Sequence, residues 1–131
     1  MFKGVDHVVI AVNDIEESVG RYESIYGMKV SDRSQSEPAG MTMAFFSFDD
    51  NYVELVSKLG DAGPIAKRLA DKGEGVHLIA MKVDNLEATL TELRDKGIRL
   101  VGDPGPGNPV TGQVFIHPAM TGGVLTQLVE R

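Results

Sequence analysis

Two stretches decide the fold: Val5-Asp6-His7-Val8-Val9-Ile10-Ala11-Val12 and Val76-His77-Leu78-Ile79-Ala80-Met81-Lys82-Val83. Each is a β-branched, apolar run of strand length, the pattern of a largely buried strand. Each runs into a helix start: Val12-Asn13-Asp14-Ile15-Glu16 lies on Val83-Asp84-Asn85-Leu86-Glu87 at an offset of 71 residues. At that offset Asp6 falls opposite His77 and His7 opposite Leu78. The chain is a duplicated module, and the copies differ where one has a histidine and the other a leucine.

Working outward, Asn13 reads as a helix N-cap with Glu16 completing a capping box. Ile15, Val19, Tyr22 and Ile25 or Tyr26 form an apolar stripe at helical spacing, and Gly27 stops the helix. The pattern predicts strands at Met28–Ser31, Met41–Phe48 and Tyr52–Val56, with a loop over 32–40. Gly60 to Pro64 is a turn leading into a short helix, Ile65–Asp71, with proline at its start. The second copy repeats the order. A strand at 76–83 precedes an Asp84 cap with Glu87, then a stripe of Leu86, Leu90 and Leu93, then Gly97. Strands follow at 98–101, 112–117 and 123–129, separated by the Gly- and Pro-rich stretch 102–109 and a turn at 118–122. The expectation is an α+β domain. Two tandem βαβββ modules, about 1–57 and 75–131 with a linker helix at about 58–74, form a curled, mainly antiparallel, cup-shaped sheet with helices outside.

Composition bounds the function. With 131 residues, 42% of them hydrophobic and 24% charged, the chain fits one globular domain. It has no cysteine, which removes disulfides and thiolate metal sites. A net charge of −6 argues against nucleic acid, whose phosphates need clustered Lys and Arg. No apolar run approaches the roughly 20 residues of a membrane span. The strand pattern begins within a few residues of Met1, so no secretory signal is expected and a cytoplasmic protein is the default.

Alternation across the strands picks out three polar residues on apolar faces. His7 shares a face with Val9 and Ala11, Glu54 with Tyr52 and Val56, and Gln127 with Leu125 and Val129. A buried polar side chain is costly without partners, so His7, Glu54 and Gln127 are the candidate site residues. Met41, Met43 and Phe45 alternate as lining or core. His77 points to the opposite side of its strand, and His117, ahead of Pro118, reads as a turn residue. Lys67 and Arg68 read as a solvated helix face that could meet ligand phosphates.

The sequence resembles the vicinal oxygen chelate superfamily (glyoxalases, bleomycin-resistance proteins and dioxygenases) and, within it, the methylmalonyl-CoA epimerase family. The residues that carry this are Val5-Asp6-His7-Val8, Tyr52-Val53-Glu54-Leu55-Val56, Asp61-Ala62-Gly63-Pro64-Ile65-Ala66, Gly75-Val76-His77-Leu78-Ile79-Ala80 with Val83-Asp84-Asn85, Val114-Phe115-Ile116-His117-Pro118, and Gly122 to Leu128. The resemblance implies a divalent metal (Co, Mn, Zn, Ni or Mg) held at four positions, which here are His7, Glu54, Leu78 and Gln127. Leu78 stands where the family has a histidine, Gln127 where it has a glutamate, and Met43 where some members have a second base. The implied activity is that of an isomerase or lyase removing a proton next to a carbonyl or thioester. Glu54 would be the base, and His7 would orient it or hold a metal. An acyl-CoA substrate and a homodimer are also implied. The degenerate ligand set leaves two alternatives: a metal-free small-molecule binding or sequestering protein of the same fold, and a glyoxalase-type lyase.

Overall fold

A computed structural model describes every residue from Met1 to Arg131. The fold is α+β, with three helices and eight strands: β1 (Phe2–Ala11), α1 (Ile15–Tyr26), β2 (Asp32–Ser36), β3 (Met41–Ser47), β4 (Tyr52–Lys58), α2 (Pro64–Lys72), β5 (Gly75–Val83), α3 (Leu86–Asp95), β6 (Leu100–Val101), β7 (Val114–Ile116) and β8 (Thr126–Glu130). Residues group into two compact units, His7–His77 and Met1–Asp6 with Leu78–Arg131.

In the unit His7–His77 the strands lie in the order β2-β3-β4-β1. β2 and β3 pair antiparallel, as do β3 and β4, while β4 and β1 run parallel. One face packs on α1. There Val12, Val19, Ala44, Phe46 and Leu55 form a core, with Ile10, Ile15, Tyr22, Met28, Val30 and Val53 against it. Of the two candidates for the last position of the helical stripe, Tyr26 makes edge contacts with Tyr22 and Phe46, whereas Ile25 is 69% exposed.

In the other unit the order is β5-β8-β7-β6, with β5 and β8 parallel and the remaining pairs antiparallel. Its core, Val83, Leu90, Leu93, Val114 and Leu128, packs α3 on one sheet face. The terminal segments are tied within this unit: the Met1 amine meets the Asp84 carboxylate at 2.9 Å, and Arg131 bonds the buried Asp6 at 3.1 Å.

Several boundaries differ from expectation. The strand expected at Met28–Ser31 is not one. Met28 and Val30 reach the core from irregular backbone, and the strand is the polar, largely exposed Asp32–Ser36, inside the expected loop. It forms because its backbone pairs along β3. In the second copy only Leu100–Val101 of the expected 98–101 is extended, and the later strands shorten to Val114–Ile116 and Thr126–Glu130. Both caps sit one residue later than expected. Asp14 accepts from the Glu17 amide at 3.1 Å and Asn85 from the Ala88 amide at 2.9 Å. Asn13 instead uses its own amide to bond Glu74 at 2.8 Å.

Candidate active site

The candidate site is built on the pairing of β1 with β4. Their parallel register sets His7 beside Tyr52, Val9 beside Glu54 and Ala11 beside Val56. Alternate residues point to alternate faces, so His7, Tyr52 and Glu54 emerge on the same side. β3 continues this face, with Phe45 beside Glu54 and Met43 beside Val56. The opposite face carries Leu55, Ala44 and Phe46 into the core under α1. His7 and Glu54 are thus brought together on the face turned away from the helix, and both are buried, at 6% and 9% exposure.

Glu54 is surrounded by little that favours charge. Burial pushes its carboxyl up from the usual carboxylate range to about 7, because removing an ion from water disfavours the charged form. A carboxyl that titrates near neutrality can both accept and return a proton at physiological pH. The His7 ring stacks on Tyr52, with centroids 4.4 Å apart and planes 9° from parallel. Phe45 meets the Tyr52 ring at 62° and 5.8 Å. Pleat alternation already placed Tyr52 and Glu54 on one face of β4. The contact with His7 depends on the register between strands distant in sequence, which no local pattern reveals.

In the other unit, β8 places Gln127 beside Ala80 of β5 and beside Phe115 of β7. Gln127, Ala80, Phe115 and Leu78 therefore share the face turned away from α3. Leu78 is buried and contributes a hydrocarbon side chain. His77 points the other way along β5. Burial first, then the charges of Arg68 and Lys72, hold its pKa below the usual histidine value. His117 is a turn residue as expected, its Nδ1 accepting from the Ala119 amide at 3.0 Å. Arg68 braces backbone carbonyls at Gly73 and Val76, and Lys67 pairs with Asp71 at 2.6 Å. Nowhere do three His, Asp or Glu side chains form a group that could hold a metal ion.

This arrangement, a duplicated strand–helix–three-strand module with a polar pair on the face opposite α1, defines a class. The chain belongs to the Glyoxalase/Bleomycin resistance protein/Dioxygenase superfamily, whose model matches residues 6–115. Within it, similar proteins include methylmalonyl-CoA epimerases. The chain is 35% identical to the human mitochondrial methylmalonyl-CoA epimerase, over 96% of this chain and 73% of that one. It is 31% identical to the ethylmalonyl-CoA/methylmalonyl-CoA epimerase of Cereibacter sphaeroides, over 99% of each. Among solved structures, a variant of the Streptomyces coelicolor methylmalonyl-CoA epimerase in complex with 2-nitronate-propionyl-CoA superposes with a TM-score of 0.84 at 32% identity, covering 99% of this chain and 98% of that one. A structure of methylmalonyl-CoA epimerase in complex with methylmalonyl-CoA and NH4+ gives 0.83 at 31% identity, over 99% of this chain and 95% of that one.

The sequence resemblance implies a divalent metal held at four positions. The residues at the four corresponding positions here do not make a matching donor set. His7 and Glu54 carry strong donors, Gln127 carries an amide oxygen in place of a carboxylate, and Leu78 carries none.

Proposed function

We propose that this protein is an isomerase of the methylmalonyl-CoA epimerase kind, acting on an acyl-CoA by removing the proton next to the thioester carbonyl. The observation that carries the reading is Glu54: a buried carboxyl, poised near neutral pH, on one face with His7. The complexes of the similar epimerases with methylmalonyl-CoA and with its analogue support an acyl-CoA substrate.

In this reading the Glu54 carboxylate takes the α-proton. The C–H electron pair moves into the carbonyl system to give an enolate; a solvent water protonates the other face of the carbon, and Glu54 gives its proton to the hydroxide left behind, which yields the epimer and restores the base. Carbanion formation beside a thioester needs a partner for the developing oxyanion. His7, on the same face, is the group assigned to donate a hydrogen bond to it or to orient Glu54. His7, Glu54 and Gln127 are the donor-bearing residues at the family's metal positions, and no step is assigned to an ion. A homodimer, a cytoplasmic location and the division into modules at about 1–57 and 75–131 belong to the same proposal. No helix is long and apolar enough to cross a membrane.

The test is hydrogen exchange. Methylmalonyl-CoA incubated with the protein in deuterated water incorporates α-deuterium, followed by NMR or mass spectrometry. Glu54→Gln lowers that rate by roughly 10²–10⁴-fold, the usual contribution of a positioned base. A wild-type protein that exchanges no α-proton would rule the isomerase out and leave a binding protein of the same fold.

A further inference from the structure

One aromatic side chain on the Glu54 face has no part in the chemistry above, yet it is the neighbour that fixes a residue which has. Tyr52 and His7 are register partners on β4 and β1. Their rings lie 4.4 Å apart and within 9° of parallel. Tyr52 is itself set against Phe45, edge to face at 5.8 Å. The tyrosine ring is thus held by two strands, β1 on one side and β3 on the other.

An imidazole that donates or accepts at one ring atom depends on its ring torsion. That torsion is broad in a free histidine, and rotation swings both nitrogens away from their targets. A flat aromatic surface against the ring restricts rotation to its own plane. We propose that Tyr52 is a positioning residue for the reaction: it holds the His7 imidazole in one orientation on the face that carries Glu54, and it acts through His7 rather than on the substrate. This rests on the isomerase reading, since a fixed imidazole matters only where His7 takes part in chemistry.

Two substitutions separate this role from simple packing. Tyr52→Phe keeps the ring and loses only the hydroxyl. Tyr52→Leu fills part of the space without a flat face, and Tyr52→Met is the replacement if the leucine variant does not fold. In the deuterium-exchange assay, Tyr52→Phe keeps kcat and KM close to wild type. Tyr52→Leu lowers kcat about tenfold or more with KM little changed, as expected when a reacting group is misplaced. A purely structural tyrosine would lower Tm and leave the kcat of the folded protein unchanged.

The second readout needs no turnover. The His7 ring resonances, observed by ¹H–¹³C NMR, are shifted upfield by the stacked ring in wild type and in Tyr52→Phe. They return toward ordinary positions and average in Tyr52→Leu. Wild-type kcat in the leucine variant overturns the proposal, and so does a His7 ring that stays fixed without its aromatic neighbour. If the wild-type protein exchanges no α-proton, the isomerase reading fails by itself, and the NMR comparison still decides whether Tyr52 fixes His7.

Discussion

Glu54 shows what a functional carboxyl costs the fold. Its carboxyl is raised from 4.5 to about 7 by burial, so the folded state binds a proton over a pH range in which the unfolded chain has released it. Stability from this group is fully present below about 4.5 and is lost as pH rises through about 7. Above that range the buried charge costs on the order of 3 kcal/mol, from roughly 1.4 kcal/mol per pH unit between the two values. Glu54→Gln is therefore expected to raise Tm relative to wild type at pH 8, with the gap closing toward pH 4.5, while slowing exchange roughly 10²–10⁴-fold. Thermal unfolding of both proteins across that range checks it, and a variant less stable than wild type at pH 8 contradicts it. At this scale the sequence was informative where a polar side chain interrupts an apolar strand: His7, Glu54 and Gln127 announce themselves by being out of character. Tyr52 does not, because a tyrosine on a half-buried strand is ordinary and its stacking partner lies 45 positions away in the chain.

The elements were legible in kind and less so in extent. Buried strands and amphipathic helices carry their periodicity in the side chains, so β1, β5, α1 and α3 stand where the apolar pattern puts them. β2 carries no such signal. Asp32-Arg33-Ser34-Gln35-Ser36 is polar throughout and exposed, and only backbone pairing to β3 makes it a strand. Met28 and Val30 mislead in the opposite way, being apolar for the core without being extended. The caps slipped by one residue in both copies, since Asn13-Asp14 and Asp84-Asn85 each offer two competent acceptors. The choice falls to what else each residue contacts: Asp84 is engaged by the Met1 amine and the Asn13 amide by Glu74. A direct test follows. Asp14→Ala, which removes the acceptor for the Glu17 amide, should lower unfolding free energy by about 1 kcal/mol. Asn13→Ala, which keeps its backbone bond to Glu74, should change it by less than about 0.5 kcal/mol. Urea titration of the two variants distinguishes them, and a larger loss at Asn13 would return the cap to the earlier position.

The duplication is preserved in the molecule down to strand register, yet its two copies have parted in chemistry. Val9 lies beside Glu54 in one unit as Ala80 lies beside Gln127 in the other, with His7 and Leu78 at equivalent places two residues earlier. The copies keep similar cores, Val12, Val19 and Leu55 in one and Val83, Leu90 and Leu128 in the other. Packing constrains the helix-covered face of each copy alike, and the two copies differ in chemistry on the opposite, buried face. The strong donors stayed with the first copy, and the second retains an amide and a hydrocarbon. This makes a prediction about metal. A site that bound a divalent ion well would stabilise the folded protein by about 2.7 kcal/mol when the ion is present at a hundredfold excess over its dissociation constant. With one imidazole, one carboxyl, one amide and a hydrocarbon at the four positions, that gain is not expected. Protein purified without chelators should carry less than one equivalent of metal by elemental analysis. Its Tm should be insensitive to added cobalt or manganese, and its α-proton exchange should survive dialysis against EDTA. Stoichiometric metal, a large rise in Tm on adding it and loss of exchange on removing it would together mean that the substitutions at Leu78 and Gln127 left a working ion site, and Glu54 would then have to be read as a ligand first.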